Sequence, residues 1–179
     1  ASPAHWGLAS LPRALNPTEI ERLLSSFTPT LPSYRRGYAI VRCALDMGLR
    51  SSEIANLQLA DIDWCAGTVT LKRTKSLRQD ILPLPELTGQ ALAEYVQQER
   101  PMTTNTAVFV RCLAPRDLPI GVNTVRHVIR DAYQRIGLTH GRSHALRHTL
   151  ACQLLDHGSS LKDVADVLDA SGADVIIIE

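Results

Sequence analysis

Apolar side chains recur along this chain at two different spacings, and the change between them divides it. Tyr38, Val41, Ala44 and Leu45 repeat at helical spacing through residues 33–47, and Gly48 is a natural helix stop. Upstream, Asn16 can cap a first helix, Pro17 suits its first turn, and Glu19 can complete a capping box. Downstream, Ser51-Ser-Glu53-Ile-Ala-Asn-Leu57 predicts a short capped helix. Arg50 is thereby left in the turn between two helices, where a side chain is held firmly at a surface.

From Asp61 to Pro85 the period falls to two. The runs Thr68-Val-Thr-Leu-Lys72 and Asp80-Ile-Leu-Pro-Leu84 predict a β-hairpin whose tip, residues 73–79, is basic and carries Lys75. Ile62-Asp-Trp64 supplies a third strand, and Pro83 and Pro85 confine the last strand to an edge. Asp61 and Asp63 alternate ahead of a strand, which predicts turn and capping roles rather than metal ligation. Helical spacing then returns. Leu87, Ala91, Leu92 and Tyr95 mark a helix over 86–99, and Ala107-Val-Phe-Val110 reads as a short strand. Asn123 is expected to cap a helix that ends before Gly137, with Val125, Val128, Ile129 and Tyr133 inward. A loop over 139–143 leads to a helix from His144 that stops at Gly158, and Ser159-Ser160 opens one more. The expected class is α+β, mostly helical with one small antiparallel three-stranded sheet. Residues 1–15 read as a linker and 16–179 as one domain.

Charge sharpens this outline. The net formal charge is only +1, but residues 31–82 hold eight Lys/Arg against five Asp/Glu, and residues 111–148 hold seven against two. Residues 149–179 carry −5. Two basic blocks and an acidic tail are the asymmetry that phosphate-backbone binding uses. No apolar run approaches the roughly 20 residues of a membrane span, and no signal-peptide layout opens the chain. The four scattered cysteines (Cys43, Cys65, Cys112, Cys152) show no zinc spacing and read as reduced thiols of a cytoplasmic protein. The absence of an initial Met reads as an excised or processed fragment.

Candidate chemistry centres on Gly141-Arg-Ser-His144-Ala-Leu-Arg147-His-Thr-Leu150. On a helix, His144 and Arg147 share one face. A guanidinium fork suits a phosphate, and an imidazole can move a proton near neutral pH. By itself such a pair is more often simply solvated.

Three motifs in order give it company: Gly48-Leu-Arg-Ser-Ser-Glu-Ile-Ala-Asn-Leu57 followed by Asp61-Ile-Asp-Trp64, Thr74-Lys75 followed by Leu82-Pro-Leu-Pro85, and His144-Ala-Leu-Arg-His-Thr149 followed by Leu154-Leu-Asp-His-Gly158. In these the chain resembles the catalytic domain of the tyrosine recombinases, the phage-integrase family, over residues 12–179. The resemblance implies attack of a tyrosine on a DNA phosphate, a 3′-phosphotyrosine intermediate and rejoining to a new 5′ end, with no metal and no cofactor. It casts Arg50 and Arg147 as grips on the non-bridging oxygens, Lys75 as the acid for the leaving 5′-oxygen, and His144 as a proton carrier for the nucleophile. The implied partner is double-stranded DNA, and the implied origin a prokaryote, phage or mobile element.

Two positions depart from the pattern. An ungapped reading places Ala170 at the family's last His and Glu179 at its nucleophilic Tyr, and the four tyrosines (Tyr34, Tyr38, Tyr95, Tyr133) all lie earlier. The chain also begins where the family's N-terminal DNA-clamping domain would end. The expectation is a recombinase domain that does not cleave DNA as this chain; the alternative is a non-catalytic DNA-binding or assembly protein derived from that family. The family assembles as a tetramer on DNA, whereas this chain is expected to be a monomer or a weak oligomer.

Overall fold

A computed structural model describes residues 13–72, 79–139 and 141–170. Helix α1 (Pro17–Ser25) starts as its sequence dictates: Asn16 Oδ1 accepts from the Glu19 amide at 2.8 Å, and the Glu19 carboxylate accepts from the Asn16 amide at 3.0 Å. Of the stretch expected as a linker, residues 13–15 are described, and Leu15 lies in the core.

The centre of the fold is α2 (Tyr34–Asp46), in which every residue from Ala39 to Leu45 is buried. A helix covered on all sides needs neighbours on all sides. It has them in α3 (Ser51–Asn56), α4 (Glu86–Gln98), α5 (Val122–Arg135) and α6 (Ser143–Asp156). The last helix, α7 (Leu161–Ala170), packs on α6. Its start is capped by Ser160, whose Oγ accepts from the Asp163 amide. Ile40, Leu49, Ile54, Leu92, Ile129 and Leu146 meet with no exposed surface.

A charged pair joins α2 to α4 at the edge of this core. Arg42, 8% exposed, places Nε 2.7 Å from Asp46 Oδ2, and the same oxygen accepts from Thr88 Oγ1 of α4 at 2.6 Å. Burial pushes the Asp46 carboxyl above the ordinary carboxylate range, against the pull of Thr88 and Arg42.

The sheet is small and antiparallel, in the order β1 (Ile62–Asp63), β2 (Thr68–Lys72), β3 (Gln79–Pro83), so the proline-bearing strand does lie at an edge. Val69 pairs with both Ile62 and Leu82 in register, and the three side chains form its inward layer. The two aspartates before the hairpin serve the backbone: Asp61 accepts from the Gln58 amide, and Asp63 from the amides of Cys65 and Ala66. Asp61 also pairs with Lys72 at 3.1 Å.

Three sequence expectations change. Ala107–Val110 is buried but makes only single bridges, Gln58 to Ala107 and Val110 to Pro119. The reason is Arg100, whose guanidinium takes the carbonyls of Asn105, Ala107 and Val108 at 2.6–3.1 Å and so occupies acceptors that a strand neighbour would use. Helix α5 begins at Val122 with Gly121 at its cap, two residues earlier than an Asn123 cap implies. Asn123 Oδ1 accepts from Arg126 Nη1 instead. In α4 the inward positions are Thr88, Ala91, Leu92 and Tyr95, while Leu87 is 56% exposed. Among the described residues no helix is long and apolar enough to cross a membrane.

Candidate active site

The turn between α2 and α3 is where the site begins. Gly48 has φ +65°, the left-handed conformation that ends a helix and that a side chain resists. Leu49 then plugs into the core with no exposed surface. Arg50 follows, with its amide donating to the Glu53 carboxylate at 2.7 Å as α3 starts. This fixes the backbone of Arg50 on both sides while its half-buried side chain reaches outward.

Helix α6 reaches the same turn from the other side. Arg147 is 5% exposed, and its Nη1 donates to the Gly48 carbonyl at 2.7 Å. Burial lowers its affinity for a proton, Glu53 works against that, and the nearby Arg50 charge adds to the lowering. A guanidinium starts so far above neutrality that it remains charged. One hydrogen bond thus ties the helix of the second motif to the turn of the first, 99 residues apart.

His144 lies one turn earlier on α6 and is exposed. The Ala145 amide donates to the Arg142 carbonyl at 2.9 Å; the amides ahead of it at the start of α6 precede the helix ladder and carry the positive end of its dipole, which favours an anion there. The loop ahead of α6 is seated by Gly141, which lies so close to the Tyr133 ring that a Cβ would collide with it.

Arg50, His144 and Arg147 line a single cleft of about 470 Å³. Sequence reasoning missed the rest of its wall. Ser51 and Ser52 contribute from α3, Arg142 from the start of α6, and Arg126, His127 and Arg130 from α5. The signal for the α5 residues was available as the basic block over 111–148 and as the i, i+4 spacing of Arg126 and Arg130. Lys75 lies outside the described residues, as does Glu179; Ala170 is the last residue of α7. Two converging guanidiniums, an exposed imidazole and a helix N-terminus suit a tetrahedral oxyanion better than a neutral ligand.

The phage integrase family profile matches residues 13–172, nearly the whole chain. The chain belongs to the phage integrase family. A relative from Sinorhizobium fredii, provisionally named integrase/recombinase y4rA, is 39% identical over 168 residues, which are 92% of this chain and 40% of that protein. The chain superposes on the crystal structure of XerA recombinase with a TM-score of 0.76 at 26% identity, covering 88% of this chain and 56% of that one. XerH site-specific recombinase, solved on its difH substrate after cleavage, matches in fold with a TM-score of 0.74 at 21% identity, over 89% of this chain and 46% of that one. The chain therefore spans about half the length of the recombinases it matches, and less of y4rA.

Proposed function

We propose that this domain holds a phosphodiester of double-stranded DNA in the cleft between α3, α5 and α6, as the phosphate-gripping part of a site-specific recombinase. The observation that carries the reading is the convergence of Arg50 and Arg147 on one turn, locked by the Arg147–Gly48 bond, with His144 exposed beside them. The DNA complex of XerH, a protein of the same fold, supports it.

The roles follow from the chemistry of phosphoryl transfer. Attack at phosphorus builds negative charge on the two non-bridging oxygens. Arg50 and Arg147, already oriented before the ligand arrives, stabilise that charge without reorganising. His144, within reach of solvent, moves a proton to or from an oxygen at the reacting phosphorus. Lys75 is assigned the leaving 5′-oxygen, because the resemblance places it at the hairpin tip. Ala170 offers a methyl group where the resemblance expects an imidazole, and Glu179 a carboxylate where it expects a phenol. A carboxylate is repelled by the phosphate it would have to attack. We therefore assign residues 1–179 DNA holding without strand cleavage, in the cytoplasm of a prokaryotic host. The four cysteines, all unpaired thiols, fit a reducing compartment.

A nicked duplex that traps the cleaved state tests this. The expected result is a gel shift at low salt with no covalent protein–DNA band on a denaturing gel. A covalent band would overturn the non-cleaving assignment, and the absence of any shift would overturn DNA holding itself.

A further inference from the structure

Charge and space in the cleft exceed what one phosphodiester uses. Five guanidiniums line it: Arg50, Arg126, Arg130, Arg142 and Arg147. A phosphodiester carries one negative charge, and two bidentate arginines already occupy its two free oxygens. The volume of about 470 Å³ is the space of roughly fifteen waters at ~30 Å³ each, several times that of one phosphate group.

The surplus is not spread evenly. Arg50 and Arg147 belong to the wall joined through Gly48. Arg126, His127 and Arg130 belong to the facing helix α5, where 126 and 130 are one turn apart on one side and 127 lies next to them. All three are exposed. Among the described residues, Arg126 hydrogen-bonds only the neutral Asn123, at 3.2 Å, and Arg130 lies 3.7 Å from Asp131, a loose pair with both side chains more than half exposed. His127 has no hydrogen bond or ion pair among the described residues, although it lines the cleft. Successive phosphates of a strand advance by about 3.4 Å along the duplex axis and are set further apart by its winding, and a cleft several times the volume of one phosphate has room for the neighbour of the gripped one.

We propose that the α5 wall is a second phosphate subsite, in which His127 with Arg126 and Arg130 takes the phosphodiester next along the strand from the one between Arg50 and Arg147. This rests on the cleft being a nucleic-acid site. It gives α5 a backbone-gripping role: the strand is held at two consecutive points, which fixes its direction through the cleft as well as its position. His127 supplies a compact donor between two longer arms.

The test is fluorescence anisotropy on a labelled 20-base-pair duplex of arbitrary sequence, with affinity followed against salt. Each lost phosphate contact lowers the slope of log affinity on log salt by about 0.9. The pair Arg126→Gln/Arg130→Gln is expected to lower it by about 1 to 2 and to weaken binding at least tenfold at low salt. Arg147→Ala in the same series reports on the first subsite. In parallel, the imidazole Cε1–H resonance of His127, identified by its loss in His127→Gln, is expected to shift on adding the duplex and to do so still in Arg147→Ala. If Arg147→Ala weakens binding while the α5 variants keep the wild-type slope and the His127 resonance stays still, the second subsite is refuted and the first survives. If the wild-type protein binds no duplex, both fall together.

Discussion

Thr149 is a sharp structural probe of this fold, because it lies one turn from the site and couples the chain's entry to it. Its Oγ1 donates to the Ala145 carbonyl at 2.7 Å and accepts from the Leu15 amide at 2.9 Å, with no surface exposed. Thr149→Val keeps the volume and the β-branch, so no cavity opens and helix propensity barely changes. The Ala145 carbonyl loses little, since the helix already gives it an amide. The Leu15 amide loses its acceptor while buried, which costs about 1–3 kcal/mol. For a domain of this size that is roughly 2–12 °C in Tm. Urea melts of wild type, Thr149→Val and Thr149→Ser measure it directly. Serine retains the acceptor and gives up one methyl group, so it is expected to lie closer to wild type. A valine variant as stable as wild type, or a serine variant less stable than valine, would refute the assignment of Thr149 as the anchor of Leu15.

Gly141→Ala forces a Cβ into the Tyr133 ring, so it is expected to cost about 1–3 kcal/mol and to weaken DNA binding by displacing the start of α6, read by melts and anisotropy together. At Asp46 the sign of the pH effect is the reverse of that for a salt-bridged carboxylate. Its folded pKa is raised by burial, so its ionised form costs stability above that pKa, and the cost is relieved as pH falls towards the unfolded value of about 3.9. Wild type is therefore expected to gain on Asp46→Asn as pH falls from 7 to 4 in parallel melts; the opposite trend would show that the Arg42 pair dominates. Burial pushes the Cys43 thiol up to about 12, so native protein at pH 8 is expected to react with iodoacetamide at the exposed Cys65 and to spare Cys43 until it unfolds.

What could be read from the sequence was local. The capping box at Asn16, the stop at Gly48, the β-hairpin and the helix at His144 each depend on residues a few positions apart; the first two appear where they were expected, and the last strand and α6 each begin one residue earlier, at Gln79 and Ser143. Arg50, His144 and Arg147 were legible as candidates because motif and turn chemistry are also local. Their meeting was not, since the bond from Arg147 to Gly48 spans 99 residues. The same applies to Arg42, Asp46 and Thr88, where a helix that reads as amphipathic is buried throughout Ala39–Leu45 and keeps its buried arginine by pairing it with Asp46. Ala107–Val110 has the composition of a strand but not a strand's free acceptors, because Arg100 claims them. The basic face of α5 was visible as charge, and only the packing of α5 against α3 turned that charge into the wall of a cleft.

The central claim is that the cleft joined by the Gly48 turn grips a DNA phosphate. The dissociation constant of Arg50→Ala for a 20-base-pair duplex, set against wild type at the same low salt, tests it most directly. Arg50 is half-buried and makes its fold-fixing contact through its amide, which alanine retains. Loss of one charge-assisted contact of about 1.5–3 kcal/mol predicts binding weaker by roughly 10- to 150-fold with the melting temperature preserved. A folded Arg50→Ala protein that binds the duplex within twofold of wild type would contradict the account.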